Sequence, residues 1–288
     1  MDIPDLLNQP YALLDPIEPG IARLLAENPS PFTFTGTQTY LAGEAEVAVI
    51  DPGPDLPGHV AAILAAVGGR RLVAIVCTHT HRDHSPAAAL LKAATGAPII
   101  GCAALALESV GPRADASFDF GYAPDRVLGD GEGIAVDGHE LVAVATPGHT
   151  SNHLCLAYRG ALFTGDHVMA WSTTVVVPPD GDMAAYMASL HKLRGRADRV
   201  YYPAHGPAVT KPQQLVRGML GHRLQRERQI LRLLGEGRRT VSDIVAGAYP
   251  GLDPRLVVAA GGSVLAHLVD MARRGIVRQE GEAWTLDR

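Results

Sequence analysis

The stretch Leu72–Pro86, LVAIVCTHTHRDHSP, places four potential metal ligands between a predicted strand and a predicted helix. The apolar run that opens it is typical of a strand buried on both faces. His79 and His81 are two residues apart, so in extended backbone both imidazoles project to the same side, about 6.6 Å apart. That spacing lets both rings reach one zinc ion at bond lengths of about 2.0–2.1 Å. Asp83 and His84 follow at the turn into the helix, where they can face a second metal.

Each of three later segments carries one more potential ligand, at a strand end or in the turn just after it. These are TPGHT with His149, TGD with Asp166 and AHG with His205. Taken singly, each is explained equally well by ordinary turn chemistry. Together they place the whole set where loops on a rigid scaffold usually build sites. We therefore expect two divalent metal ions, with Zn2+ preferred and Mn2+ or Fe2+ as alternatives, because His and carboxylate groups bind all three.

Alternating β-rich and helical runs fill the first part of the chain, up to about residue 210. A β-then-α half lies on either side of about residue 125, which predicts an α/β fold of two packed sheets with helices outside, a four-layer αββα sandwich. The expected strands are 32–34, 40–41, 47–50, 72–77, 140–145, 154–158, 161–164 and 200–202. The expected helices are 59–67, 183–193 and one that Ser85 caps, with Pro86 at its first position and Gly96 closing it.

The pattern changes after Lys211-Pro212, the most favourable domain boundary. Beyond it the sequence predicts three helices and a terminal hairpin, which is the layout of a winged helix. We therefore predict a catalytic domain over residues 1–212 and a small winged-helix-like domain over residues 213–288. The residues that indicate these elements are Leu220, Leu224, Leu231 and Leu234 on one face of the first helix, Thr240 and Asp243 capping the second, Asp253-Pro254 and Gly275 bounding the third, and Gly281 in the hairpin.

The composition is that of a folded globular protein, with 47% hydrophobic and 19% charged residues. Its start lacks a basic segment leading into an apolar one, and no run reaches about 18 uncharged apolar residues, so we expect neither a secretory signal nor a membrane span. Three widely spaced cysteines, Cys77, Cys102 and Cys155, argue against a disulfide framework and fit a reducing compartment. We therefore expect a cytoplasmic protein that does not bind membranes.

The motif HTHRDH at residues 79–84, followed by TPGHT, TGD and AHG, resembles the metallo-β-lactamase superfamily in order and spacing. The resemblance covers about residues 30–210 and includes the turn Asp51-Pro52-Gly53. It implies the metallo-β-lactamase sandwich and a dinuclear metal site. By that resemblance Asp166 bridges the two metals, with His79, His81 and His149 on the first and Asp83, His84 and His205 on the second.

A narrower resemblance extends over nearly the whole chain. HRLQRE at 222–227, HLV at 267–269, TTV at 173–175 and PPDGDM at 178–183 look like the β-lactamase-like protein 2 family, whose members end in a winged helix. The best-known animal member of that family is a mitochondrial endoribonuclease that acts on single-stranded RNA. The resemblance therefore implies a hydrolase, with single-stranded RNA as the leading substrate.

A reaction mechanism follows from this expected site. Two metal ions about 3.5–4 Å apart lower the pKa of a bridging water towards 7, so we predict a hydrolase that uses a metal-bridging hydroxide. Asp83 would orient that nucleophile and help to move its proton. Arg82, between the ligands, and Trp171, shortly after Asp166, are candidate substrate-binding residues, and the indole could stack on a base. Shielding of a helix end by Arg82 and core packing by Trp171 are the alternative roles.

The site chemistry leaves other functions open. The same metals could hydrolyse a small thioester, ester or lactone, as in glyoxalase II. A third alternative is a winged-helix regulator whose hydrolase-like domain senses a ligand, but the helix over 254–274 carries Arg255, Arg273 and Arg274 only near its ends. Residues 221–288 hold 11 basic and 8 acidic side chains, against 14 and 22 elsewhere, which argues against strong phosphate-driven binding. We expect the winged helix to cover the active-site cleft or to form a homodimer contact.

Overall fold

The computed structural model describes residues 9–106 and 118–287 of the chain. A sheet of seven strands comes first, with its strands side by side in chain order. Neighbours are antiparallel up to the fourth strand and parallel from there on. The strands are β1 (Asp15–Glu18), β2 (Ile21–Leu25), β3 (Gln38–Ala42), β4 (Glu46–Ile50), β5 (Arg71–Cys77), β6 (Ile99–Gly101) and β7 (Arg126–Val127).

A second sheet has five strands: β8 (Gly133–Val136), β9 (His139–Ala145), β10 (Leu154–Tyr158), β11 (Ala161–Gly165) and β12 (Val200–Pro203). Its spatial order is β12-β11-β10-β9-β8. Neighbours from β8 to β11 are antiparallel, and β12 joins parallel to β11. A parallel neighbour needs a crossover connection, and here that connection contains the helix Met183–Arg194.

Strand β11 shows how the second sheet separates two cores, because successive side chains on a strand point to opposite faces. Phe163 belongs to the cluster that also contains Leu41 and Ile50 of the first sheet. Its neighbour Leu162 belongs to a different cluster, with Leu190 of the crossover helix. The two sheets therefore pack face to face, and the crossover helix covers the outer face of the second sheet.

Helices also cover the outer face of the first sheet. They are α1 (Pro57–Val67) and α2 (Ala87–Thr95), and their buried residues Ile63 and Leu91 join the cluster of that sheet. The crossover helix is α3, and it packs beside the first half of α4 (Pro212–Gly235). The four-layer αββα sandwich that the sequence predicts is confirmed.

The C-terminal unit consists of α4, α5 (Val241–Ala248), the 3-10 turn Pro254–Leu256, α6 (Val257–Arg273) and the hairpin β13 (Val277–Glu280) with β14 (Ala283–Leu286). The predicted helices and hairpin are thus confirmed, and so is the capping box of Thr240 and Asp243. Helix α4 packs in two hydrophobic clusters. Val216 belongs to the cluster between the second sheet and α3, and Ile230 belongs to the cluster of the C-terminal unit. The domain boundary stays a prediction.

By length and composition alone, the segment Pro254–Arg273 could cross a membrane. In the fold it is a core helix, because Val264, Leu268 and Met271 pack in the C-terminal cluster. An amphipathic helix that buries its apolar face against its neighbours accounts for the same composition.

Two local predictions are wrong, and a third holds only in part. Residues 32–34 form a turn rather than a strand, and Phe34 has a φ of 57°, which a strand does not accommodate. Ser85 does not cap α2; its hydroxyl donates to Asp119 Oδ2 at 2.8 Å instead. On α4, Leu224 is 46% exposed, whereas its neighbour Arg223 is buried. The other predicted leucines of this face do turn inward, because Leu220 and Leu234 are buried and Leu231 is partly buried. The buried face of α4 therefore includes a charge that the sequence did not indicate.

Candidate dinuclear metal site

The structure brings all seven predicted ligands together at one end of the two sheets. Each lies just after a strand, where a rigid sheet positions a short loop. His79 and His81 follow β5, with Asp83 and His84 in the turn before α2; His149 follows β9, Asp166 follows β11 and His205 follows β12. The ligand atoms form two clusters in which all members lie within 4.8 Å of one another: His79, His81, His149 and Asp166 in one, and Asp83, His84 and His205 in the other.

The first cluster has the spacing of ligands around one metal ion. His81 Nδ1 lies 2.9 Å from His79 Nε2 and 3.0 Å from His149 Nε2. Asp166 Oδ2 lies 3.6 Å from His149 Nε2. Tetrahedral zinc with bonds of about 2.0–2.1 Å holds its ligand atoms about 3.3 Å apart. The cluster therefore fits a zinc-sized cation.

The second cluster shares Asp166 with the first. Asp83 Oδ2 lies 3.3 Å from His84 Nε2 and 3.1 Å from His205 Nε2. The remaining oxygen of Asp166, Oδ1, lies 3.6 Å from His84 Nε2 and 3.3 Å from His205 Nε2. One carboxylate oxygen of Asp166 thus faces each cluster, which is the geometry of a bridging ligand.

Unsatisfied polar atoms in the site support the same interpretation. His84 Nε2 and Asp166 Oδ1 are buried and form no hydrogen bond with any residue that the structure describes. Buried polar atoms almost always have a partner, so an orphaned pair at one point calls for a ligand. A divalent cation between them would satisfy both, and the residues present fit it.

The electrostatics of the site depend on how its charges are paired. Burial lowers the pKa of His79 well below its ordinary value, and the neighbouring histidines lower it further. Burial acts in the same direction on His84 and His205, but the carboxylates of Asp83 and Asp166 outweigh it and raise the pKa of both imidazoles. Protons and metal ions therefore compete for the same nitrogen atoms, so metal binding would release protons.

A set of outer hydrogen bonds orients the imidazoles. His84 Nδ1 lies 3.1 Å from Asp51 Oδ2, His149 Nδ1 lies 2.7 Å from the Val175 carbonyl, and His205 Nδ1 lies 3.2 Å from the Gly36 carbonyl. These oxygens only accept, so each Nδ1 carries the proton and each Nε2 keeps its lone pair for a metal. His79 reaches Asp51 indirectly, since its Nδ1 lies 3.0 Å from Thr78 Oγ1, which donates to Asp51 Oδ2.

Comparison with known proteins identifies the family. Residues 32–205 match the metallo-beta-lactamase superfamily, and residues 240–284 match the beta-lactamase associated winged helix domain. The chain belongs to the metallo-β-lactamase superfamily. It is 32% identical to a beta-lactamase-like protein 2 homolog from Caenorhabditis elegans, over 92% of this chain and 89% of the relative. It is also 32% identical to an atrochrysone carboxyl ACP thioesterase from Aspergillus fumigatus, over 93% of this chain and 80% of the relative.

Solved structures agree on the fold of this superfamily member. A metallo-beta-lactamase family protein from Thermus thermophilus has a TM-score of 0.75 and 22% identity, covering 94% of this chain and 99% of the other. A beta-lactamase domain protein from Burkholderia ambifaria has a TM-score of 0.79 and 18% identity, covering 96% and 94%. By its family matches and its named relatives, the protein is a metallo-β-lactamase-fold hydrolase with a C-terminal winged helix, and that fold implies divalent metal ions.

A cavity of about 670 Å³ opens onto five of the candidate metal ligands, His81, Asp83, His149, Asp166 and His205. Both predicted substrate-binding residues, Arg82 and Trp171, line it. Arg82 is exposed, whereas the ring of Trp171 packs on Phe34 with centroids 5.1 Å apart. A Cβ at Gly206 would lie 2.4 Å from Trp171 Cδ1, which explains why the AHG motif needs glycine there. Residues of the winged-helix unit, such as Leu256 and Ala260, also line the cavity.

Several residues that hydrogen-bond to the candidate metal ligands could not be recognised from the sequence. Asp51 was visible only as part of a turn, and its role depends on Thr78 and His84 reaching it from other segments. Val175 and Gly36 act through backbone carbonyls, which leave no signal in a sequence. For Asp51 alone a signal existed, because a carboxylate beside a strand end is a common outer partner of ligating histidines.

Proposed function

We propose that the protein hydrolyses a thioester or ester whose acyl group has an apolar part. The reaction would take place at two divalent metal ions, with Zn2+ preferred and Mn2+ or Fe2+ as alternatives. The proposed ligands are His79, His81, His149 and Asp166 for one ion, and Asp83, His84, His205 and Asp166 for the other. The observation that carries the choice of substrate is the composition of the cavity wall.

The wall that the C-terminal unit contributes to the cavity is mostly apolar. It includes Leu252, Leu256, Ala259 and Ala260. Arg82 and Arg223 are the only Lys or Arg side chains among the described residues that line the cavity. Nucleic-acid binding usually depends on several basic contacts to phosphates, whereas an apolar acyl group gains affinity from burial against side chains of this kind. The thioesterase names of relatives such as the Aspergillus protein support the same choice.

The residues of the site would divide the chemistry among them. When bound, the two metal ions would polarise the substrate carbonyl and lower the pKa of a water molecule towards 7. Asp83 lines the cavity and is only partly buried, so its carboxylate can reach that water, orient it and accept its proton. Burial alone would raise the pKa of Asp83, but His84 and His205 lower it well below the ordinary value, which keeps the carboxylate ionised as a metal ligand requires.

Cleavage of single-stranded RNA is the second candidate. It is favoured by the winged helix and by the resemblance to the β-lactamase-like protein 2 family, which implied single-stranded RNA as a substrate. Trp171 lines the cavity, although its packing on Phe34 leaves less of the ring for a base. A ligand-sensing winged-helix regulator ranks last, because helix α6 and the turn before it hold basic residues only at their ends.

The deciding experiment compares substrates on one metal-loaded preparation. N-acetylcysteamine thioesters with acyl chains of increasing length, matched ethyl esters, a lactone and labelled single-stranded RNA would be assayed side by side. His81→Ala serves as the blank, because it removes a ligand from the first cluster. Thioester or ester turnover that disappears in the blank supports the proposal. RNA cleavage without turnover of any thioester or ester would reverse the ranking.

Metal analysis of the protein as purified tests the preference for zinc. We also keep as proposals a cytoplasmic location, the absence of membrane binding and a homodimer contact through the winged helix. Fractionation of cells and light scattering of the purified protein would test them.

A further inference from the structure

Arg223 is a buried arginine in the middle of α4 that lines the cavity of the metal site. Only 4% of its surface is exposed. One Nη atom donates to the Thr174 carbonyl, and the guanidinium carbon lies 5.0 Å from the centre of the Tyr186 ring. A guanidinium has five N–H donors, so these contacts use only a small part of its capacity.

No carboxylate among the described residues forms an ion pair with Arg223. Burial is the main cause that lowers the pKa of His222 and His267, and the charge of Arg223 lowers the pKa of both further. Burying a charge without an opposite partner is costly, and proteins rarely retain such a residue unless something pairs with it. A ligand that carries an anion would supply the missing partner.

The cavity determines where that anion would lie. It is lined by His149 and Asp166 of the metal site, by Arg223, and by apolar residues of the C-terminal unit such as Leu256. We propose that Arg223 binds a carboxylate carried by the acyl group of the substrate, at a distance from the carbonyl that is hydrolysed. A planar carboxylate matches the guanidinium fork in shape and charge. This proposal rests on the proposed function, because it names the acyl groups that the site would accept.

A purely structural role for Arg223 makes a different prediction. Arg223 donates a hydrogen bond to the Thr174 carbonyl, and the Thr174 hydroxyl donates to the Asp166 carbonyl. The carbonyl of the next residue, Val175, accepts from His149 and orients its ring. If that were its only role, loss of the arginine would weaken all ligands alike. Selective loss of affinity for ligands with a second carboxylate separates the two roles.

The test uses binding to the zinc-loaded protein and needs no turnover. Calorimetric titrations would compare α,ω-dicarboxylates from malonate to sebacate with monocarboxylates of the same chain length. One carboxylate is expected to bind the metals and the other Arg223, so the wild type should prefer the dicarboxylate at one chain length by about tenfold or more. The absence of such a preference at every length would overturn the proposal.

Variants assign the preference to this side chain. Arg223→Gln can still donate to the Thr174 carbonyl but has no charge, so the dicarboxylate preference should fall to about one. Arg223→Lys keeps the charge and should retain part of it. Arg228→Gln is the matched control, because Arg228 lies on the same helix, is exposed and does not line the cavity; it should keep the full preference.

Each remaining outcome also decides the question. An undiminished preference in Arg223→Gln would assign the anion to another cation and overturn the proposal, and so would an equal loss of mono- and dicarboxylate binding. If Arg223→Gln does not fold, a complete loss of preference in a folded Arg223→Lys contradicts the proposal, and a reduced preference supports it. A dicarboxylate preference without any thioester or ester turnover would refute the proposed function while leaving the anion site in place.

Discussion

His84 and Asp51 are joined by a hydrogen bond between Nδ1 and Oδ2, 3.1 Å long and buried on both sides. The same carboxylate accepts from the backbone N–H of Thr78 at 2.7 Å and from its hydroxyl at 2.8 Å. Asp51 therefore fixes the orientation of His84 and the start of the segment that carries three more proposed ligands, His79, His81 and Asp83. Outer contacts of this kind hold an imidazole in the tautomer that leaves its other nitrogen to the metal.

Replacing Asp51 by Asn should weaken metal binding without removing any ligand. An amide has one acceptor oxygen and presents N–H groups to donors, so the contacts with Thr78 and His84 cannot all be kept. We expect zinc affinity to fall by about 10- to 100-fold, measured by competition with a chelator. Asp55→Asn, an exposed site on the same loop, is the control. Equal affinities of D51N and the wild type would contradict this role.

Asp83 should contribute to rate beyond its contribution to metal content. In Asp83→Asn the side chain keeps an oxygen for the metal but loses its ability to accept a proton. We expect turnover per bound metal to fall by about 10²–10⁴-fold, the usual contribution of a positioned base. Metal content by mass spectrometry and initial rates on one sample give this ratio. An unchanged ratio would remove the catalytic role and leave Asp83 as a ligand alone.

Gly148 should tolerate no side chain. Its φ is 140°, and a Cβ there would lie 2.3 Å from the Cα of Tyr186 on α3. Gly148→Ala must displace either the helix or the turn that carries His149, so we expect a loss of about 2 kcal/mol or more in the free energy of unfolding and weaker metal binding. Gly218→Ala, at an exposed position in α4 with no atom nearby, should instead add about 0.5–1 kcal/mol. Urea unfolding measures both, and equal effects would be inconsistent with this explanation.

The buried His59 should lower the free energy of unfolding as the pH falls into the mildly acidic range. Burial lowers its pKa to about 4, and it contacts Thr39 Oγ1 at 2.8 Å. The unfolded chain binds a proton below a pH of about 6.5, but the folded chain does not until about pH 4. The folded state therefore loses up to about 3 kcal/mol as the pH falls through this window, and none of this loss occurs above it. Thermal unfolding from pH 7.5 to 4.5 should show a smaller decline for His59→Gln than for the wild type, while His191→Gln, exposed on α3, follows the wild type.

The cavity wall formed by α6 should set the accepted acyl length. Ala260 lines the cavity, so Ala260→Leu would fill space that a long acyl chain is proposed to occupy. We expect kcat/KM for long-chain thioesters to fall about tenfold relative to short ones, since a few misplaced methylene groups cost about 1–3 kcal/mol. Ala61→Leu, exposed on α1, is the matched control. An equal ratio of long-chain to short-chain kcat/KM in the two variants would show that α6 does not limit the accepted acyl length.

The strands, helices and ligands were predictable wherever the signal is local. The apolar run before His79 identifies β5, and Thr240 with Asp243 marks the start of α5, because each pattern involves neighbouring residues. The strand expected at residues 32–34 was wrong. Its apolar side chains suggest β structure, but the Ser30 hydroxyl accepts hydrogen bonds from the backbone N–H groups of Phe32 and Thr33, which stabilise a turn. Phe34 then packs on Trp171 from a distant loop.

By itself the sequence determined which residue types could bind metal and that each follows a strand, because spacing within a segment constrains where side chains point. Only the tertiary structure decided that Asp166 presents one oxygen to each cluster and that Asp51 supports His84. It also decided that Arg223, rather than Leu224, turns inward to the cavity. These relationships join segments tens of residues or more apart, and packing of the two sheets and the C-terminal unit fixes them; no pattern within one segment encodes such distances.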